Sequence, residues 1–294
     1  MQPGPEQYIP DLHVHTDASD GQFSPAQVIS LAVEKGVNLL AITDHDTLDG
    51  LQKLREQALY TGIIILPGVE ISAGGENEVH ILGYGIYEGM KKLHALLQDM
   101  RHEREERVRR MVQKLQHLGL SIGLDEIASP QADSLGRAHI GRALVKKGLT
   151  DSIFEAFEKY LSPGRPGFVP RPKRKVSQVI RLLREEGAVP AVAHPGLLKM
   201  DPEDVGLLLA EWKDDGLMGL EAYHPAHLPA MVRTWDDLAR RLGLLVTGGS
   251  DFHGQDGRHM EIGAMLPHWS TAGEDSLKLL EVIGHHRRYI DDTQ

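Results

Sequence analysis
The residues most able to do chemistry are two histidines one residue apart, His13-Val14-His15. On a strand, side chains two apart share a face, about 6.5 to 7 Å from one another along the backbone. That arrangement suits two ligands of one cation. Asp20 follows in the loop DASDG, and His45, Glu70, His80, His194, Asp251 and His253 complete a set of nine candidates. Six neutral imidazoles and three carboxylates are too many for one ion of four to six ligands. Two or three divalent ions accommodate them, with Glu70 as the bridging carboxylate. Nitrogen and oxygen donors without sulfur suit manganese, iron or zinc better than magnesium, with manganese the first expectation. Taken singly, each residue has an ordinary structural alternative: Asp20 as a turn residue, Glu70 as a solvated strand end, His194 as a core histidine. Their convergence is what argues for metal.

That convergence depends on the elements that carry them. Four segments share one plan, in which a helical pattern stops at a glycine, an apolar strand follows, and a ligand candidate comes next. Ser24 caps the first helix, Pro25 begins it, Gln27 has the capping-box spacing, and Gly36 ends it. NLLAIT then leads to Asp44 and His45. Gly62, Gly187 and Gly243 precede IIILPGV, AVPAVA and LLVTGGS in the same way. YIPDL, HILGYG and GLEA bring the strands to about seven. Apolar strands alternating with helices imply an α/β fold with a parallel sheet, and about seven of them imply a barrel with its chemistry at one rim. His80 breaks the rule, because it begins its strand. Residues 99–167 lack the alternation and read as a helical insertion over the active-site mouth. Val108, Met111, Val112, Leu115 and Leu118 form its apolar stripe. The domains expected are therefore a discontinuous barrel, 1–98 and 168–294, and the insertion, 99–167.

Bulk properties narrow the possibilities. The chain has 294 residues, no cysteine and a net charge of −10, so thiolate sites and disulfides are excluded. Its acidity makes it a poor binder of duplex nucleic acid. No apolar run approaches a membrane span, and the start, MQPGPEQYIP, has neither the basic nor the apolar part of a secretory signal. A cytoplasmic location is the default expectation.

DLHVHTDASDG, LLAITDHDTLDG, LPGVEIS, VHILGYG, AVAHPG and GGSDFHG closely resemble the motifs of the PHP (polymerase and histidinol phosphatase) family, and they span residues 11 to 254. The resemblance implies a distorted (β/α)7 TIM-like barrel with a trinuclear metal centre and phosphoesterase chemistry. It implies one ion held by His13, His15, Glu70 and Asp251, a second by Glu70, His80 and His194, and a third by Asp20, His45 and His253. GRAHIGRALV, KYLSPGRPGFVP and GLEAYHP are most similar to the subgroup of 3′,5′-nucleoside bisphosphate phosphatases and short-RNA 5′→3′ exoribonucleases. The implied substrate is a small phosphorylated molecule. Arg137, His139 and His224 match phosphate-binding positions of that subgroup, with a histidine also suited to protonating the leaving oxygen.

Other residues keep two readings each. Tyr223 either stacks on a base or packs. Asp44 either orients an imidazole or caps a turn. Asp46 and Asp49 read as loop or helix-start residues, HEREERVRR as a solvated helix face, and Arg171, Lys173, Arg174 and Lys175 as a basic run that guides an anion. Rival functions are a histidinol-phosphate phosphatase, an amidohydrolase, and a metal-binding PHP module without catalysis.

Overall fold
The structure is a computed structural model that describes residues 8–54, 62–74, 78–127, 134–172, 174–254, 261–265 and 268–291. Lys173 of the basic run lies outside the described residues. Seven strands form one sheet in sequence order: β1 (Pro10–Val14), β2 (Leu39–Ile42), β3 (Ile64–Gly74), β4 (Glu78–Tyr84), β5 (Val189–Val192), β6 (Gly219–Tyr223) and β7 (Leu245–Gly248). A parallel bridge between Val14 and Phe252 brings the first strand beside the segment after the last, which nearly closes the barrel. Helices α1 (Pro25–Glu34), α2 (Asp49–Leu54), α6 (Val176–Glu185), α7 (Pro202–Asp214), α8 (Pro229–Leu242) and α9 (Ala272–Asp291) accompany the strands.

The local signals for these elements hold. Ser24 and Gln27 form the capping box of α1, and Pro25 is its first residue. Gly36, Gly62, Gly187 and Gly243 all have positive φ, between 65° and 86°, which glycine adopts without steric cost. Strands β2 and β5 are buried throughout, so they read as continuous apolar runs.

The sheet departs from the expected all-parallel pattern at one strand. β4 runs antiparallel to both β3 and β5, because only the three residues after Gly74 connect it to β3, too few for a crossover. The reversal explains His80. The start of an antiparallel strand lies at the same rim as the ends of its parallel neighbours, and His80 pairs with Ser72 there.

Between β4 and β5 the chain forms α3 (Lys91–His117), α4 (Arg137–Lys146) and α5 (Ile153–Ala156), the last running on through a π-helical turn at Phe157–Leu161. α3 begins earlier than expected and passes through residue 99. Leu93, Leu97 and Met100 join the barrel core, whereas Val108, Met111, Val112 and Leu115 join a second apolar cluster with Ile140, Leu144 and Leu161. Leu118, expected in that stripe, is 48% exposed, because the helix ends at His117 and its cap lies beyond the packed face. The supposedly solvated HEREERVRR face is also revised. Arg104 and Arg107 are each 4% exposed, since they continue the buried i, i+3, i+4 stripe of α3. No helix among the described residues is long and apolar enough to cross a membrane.

Candidate metal centre and active site
The nine sequence-derived donors meet at the rim. At the end of β1 the Nε2 atoms of His13 and His15 lie 3.1 Å apart. Both approach the same two oxygens. Glu70 Oε2 is 3.4 Å from His13 and 3.3 Å from His15, and Asp251 Oδ1 is 3.4 Å and 3.2 Å away. The other oxygen of Glu70, Oε1, lies 2.8 Å from His80 Nδ1 and 3.0 Å from His194 Nε2. Asp20 Oδ1 is 3.2 Å from His253 Nε2, and Asp20 Oδ2 is 3.9 Å from His45 Nε2. Glu70 therefore stands between groups on either side, although it lies within β3 rather than at a strand end.

The donor set fits cations. His15 Nδ1, Asp20 Oδ1, His45 Nδ1 and Glu70 Oε2 are buried and make no hydrogen bond. His45 Nδ1 is 2.8 Å from Glu70 Oε2 without hydrogen-bond geometry. Buried polar atoms are ordinarily satisfied, so a cluster of orphans pointing at one another is what ligands around an ion look like. Four overlapping groups of potential ligands result: His15, Asp20, His45 and His253; His13, Glu70 and His194; His13, His15 and Asp251; His45, Glu70 and His80.

Opposite pKa shifts within this cluster have identifiable causes. Burial disfavours the charged form of His80, but Glu70 and Glu78 outweigh it and push the group up to about 10. His253 also rises to about 10, with Asp20 and Asp251 overcoming burial. His15 falls to about 3, through burial and then the neighbouring His253. The Glu70 carboxyl resists burial and is held well below the usual carboxylate range by His45, His80 and His13. Cations bound here would take over the neutralisation of these carboxylates and release imidazole protons.

The backbone is shaped to the same end. Asp46, His194 and Asp251 have φ of 53°, 29° and 50°, a region that side chains rarely occupy. Each is held by a hydrogen bond from its own N–H: Asp46 to Glu70 O, His194 to Glu221 Oε2, and Asp251 to His13 O. Gly249 has to be glycine, since a Cβ there would lie 2.4 Å from His13 Cβ.

Several supporting residues were not singled out from sequence. Glu221, fully buried on β6, accepts from His13 Nδ1 at 3.0 Å and from His194 N at 2.8 Å. A lone carboxylate in a strand that is otherwise apolar was the available signal. Partners of this kind fix ligand orientation, and their loss typically costs 10–100-fold in metal affinity. Glu221→Gln is expected to weaken metal binding by roughly that factor in competition with a chelator; unchanged affinity would leave Glu221 a purely structural role.

Asp44 binds the turn at Thr16 and Ser19. It accepts from Thr16 N and Thr16 Oγ1, both at 2.7 Å, and from Ser19 Oγ at 2.6 Å, so it shapes the loop that carries Asp20. Asp49 begins α2. Asp46 is more than a loop residue. It is buried and takes Arg104 Nε at 2.5 Å and Arg171 Nη1 at 3.1 Å, and its other oxygen accepts from Ser72 N at 2.8 Å. Arg171 reaches Glu78 at 2.6 Å, and Arg137 reaches the other Glu78 oxygen at 2.8 Å. Glu78 Oε1 in turn is 3.9 Å from His80 Nε2. The basic run thus divides, with Arg171 in this network and Arg174 paired bidentately with Glu103.

Arg137, the first residue of α4, also lies over the Phe157 ring at 5.5 Å. The His139 Nδ1 accepts from Gly136 N at 3.1 Å, and its ring also engages the Ser19 backbone, so it props the Asp20 loop. Burial lowers this group to about 4. His224 is fully buried, with Nδ1 accepting from Ala226 N and Nε2 3.2 Å from Asp251 Oδ2. Tyr223 stacks on Trp269, with centroids 5.2 Å apart, and burial raises its phenol to about 12. It is not part of the donor cluster.

A seven-stranded barrel carrying this donor set defines a metal-dependent phosphoesterase. The chain belongs to the PHP domain family, whose sequence profile matches residues 11–164. It is 34% identical over 254 residues to a 3′,5′-nucleoside bisphosphate phosphatase of Chromobacterium violaceum, covering 84% of this chain and 89% of that one. It is 33% identical over 275 residues to the 5′-3′ exoribonuclease Rnm of Escherichia coli, covering 92% of each. A solved structure of an amidohydrolase from Chromobacterium violaceum, with sulfate bound and no metal, superposes with a TM-score of 0.79 at 32% identity, over 88% of this chain and 96% of that one.

Proposed function
We propose that the protein hydrolyses the 3′-phosphate of nucleoside 3′,5′-bisphosphates, such as 3′-phosphoadenosine 5′-phosphate to AMP and phosphate, and that it also acts on short 5′-phosphorylated RNA. The observation that carries this reading is Glu78, which Arg137 and Arg171 share beside the metal ligand His80. Two guanidiniums flanking a donor cluster make a second anion-binding point, as a substrate with two phosphates requires. The relatives named above support the nucleotide class.

His13, His15, Glu70 and Asp251 would hold one ion, Glu70, His80 and His194 a second, and Asp20, His45 and His253 a third, with manganese the preferred metal. Bound divalent ions lower the pKa of water and neutralise phosphoryl oxygens. The chain's own groups orient the substrate. Arg137 and Arg171 exchange part of their hold on Glu78 for the distant phosphate. His224, with Nδ1 accepting from the backbone, carries its proton on Nε2 and can donate it in a hydrogen bond to a phosphate oxygen; to protonate the leaving O3′ it would first have to take a second proton on Nδ1 and give up Ala226 N. His139 reaches substrate only by giving up a bond that supports the Asp20 loop.

Phosphate release tests this reading, with manganese present and a panel of 3′,5′- and 2′,5′-bisphosphates, histidinol phosphate, a cyclic nucleotide and short 5′-phosphorylated RNA. Turnover of the 3′,5′-bisphosphate is expected, and absence of activity on every nucleotide would refute it. In the same assay Arg137→Ala should raise KM for the bisphosphate roughly 10- to 100-fold, the loss of a charge-assisted hydrogen bond. Unchanged kinetics would remove Arg137 from the site.

A further inference from the structure
A cavity of about 580 Å³ lies at the same rim between the segments that follow β6 and β7. In strand order it is on the other side of the metal ligands from the arginines, which gather near β3, β4 and the insertion. Its wall is tied to the cluster. His227 lines the cavity, its ring lies 5.3 Å from that of His224, and His224 Nε2 is 3.2 Å from Asp251. His227 is itself fixed, with Nδ1 donating to Ala222 O and Nε2 accepting from Gly196 N.

We propose that this cavity receives the nucleoside on the 3′ side of the scissile phosphate when the substrate is an oligonucleotide. The inference rests on the nucleotide reading above. Removing the 3′-phosphate of a bisphosphate and removing the first nucleotide of a 5′-phosphorylated RNA break the same bond, P–O3′ of the first nucleoside. In each, the oxygen of water joins phosphorus and O3′ leaves with a proton. The two substrates differ in one respect: in RNA the phosphorus also carries a second nucleoside through O5′. With the 5′-phosphate on the arginines and the scissile phosphate at the ligands, the cavity beside β6 and β7 is where that second nucleoside can extend away from the arginines.

The lining combines apolar, aromatic and charged groups, as a nucleoside with its sugar and phosphate requires. Tyr223, packed on Trp269 and 8% exposed, contributes part of its ring to the wall, and Val232 and Met265 add apolar area. Base–aromatic stacking contributes usefully to single-strand binding without sequence preference. Asp236 and Asp237 line the cavity as well. Asp236 is held by Arg240, the exposed Asp237 can accept an N–H of a base, and the exposed Arg233 can meet a phosphate at the cavity's edge. The volume falls within the range of sites that enclose small organic ligands.

The test uses zinc-loaded protein with 13C-methyl methionine, and a 5′-phosphorylated dinucleotide whose scissile phosphate is replaced by a methylphosphonate. The dinucleotide is expected to shift the Met265 methyl signal, and a nucleoside bisphosphate analogue whose 3′-phosphate is likewise replaced by a methylphosphonate is expected to leave it in place. Ala264→Trp, which fills the cavity from a half-buried position, should abolish the shift and lower the affinity for the dinucleotide relative to the bisphosphate analogue by at least about 10-fold. A Met265 signal that stays still while nucleotides bind, or that moves equally with both ligands, overturns the cavity assignment alone. Failure of both ligands to bind overturns the nucleotide reading and the cavity with it.

Discussion

Glu70→Ala is expected to lower kcat/KM by roughly 10³-fold or more, about 4 kcal/mol of transition-state stabilisation, and to reduce the metal bound per chain. The size of the effect follows from its position. Its two oxygens lie within 3.4 Å of nitrogens from His13, His15, His45, His80 and His194, so one carboxylate serves donors on four strands or their following loops. Truncation removes the carboxylate these imidazoles share and leaves them buried facing one another. Kinetics with manganese, alongside metal analysis of the same preparation, measures it. A variant that keeps full metal content and activity would show that Glu70 is not the bridge.

The second large effect is on stability. Asp46→Ala should destabilise the fold by about 3–5 kcal/mol, because it leaves the buried Arg104 guanidinium without its carboxylate. Arg104 also donates to Ser72 Oγ and to Leu135 O, so the lost pair sits where the insertion meets the barrel. A fall in Tm of roughly 10 °C is the expected reading. Breaking the exposed Lys92–Glu185 pair should leave Tm unchanged, since solvent screens it. Burial alone would raise the Asp46 pKa, but Arg104 and then Arg171 hold it below the ordinary aspartate range. Its folded value is therefore depressed. Its contribution is complete above the unfolded aspartate pKa and disappears as pH falls through the lower folded value. The Tm difference between the two proteins should accordingly persist at neutral pH and shrink in acid. A pH-independent difference would mean that packing, and not charge, is what Asp46 supplies.

Much of this arrangement was legible in the sequence because short-range rules govern it. The glycine stops, the capping box at Ser24 and the buried apolar strands are local facts, and they place most of the ligands at one rim. What was hidden depends on pairing between distant segments. The reversal of β4 follows from the short link after Gly74, which the regular helix–strand rhythm elsewhere obscured. Arg104 and Arg107 look solvated in a run of charges, yet extending the stripe of Val108 and Met111 backward by helical spacing reaches both. Asp46 and Glu78 carry no local mark, since their partners lie 58 and 59 residues away at Arg104 and Arg137. Tyr223 had two readings from sequence, and its packing on Trp269 could not be chosen without the fold.

The most direct measurement is metal content of the purified protein after exposure to manganese, determined per chain by elemental analysis. Nine donors, with Glu70 among them, predict two to three ions per chain. Fewer than one tightly bound ion per chain would contradict a multinuclear centre.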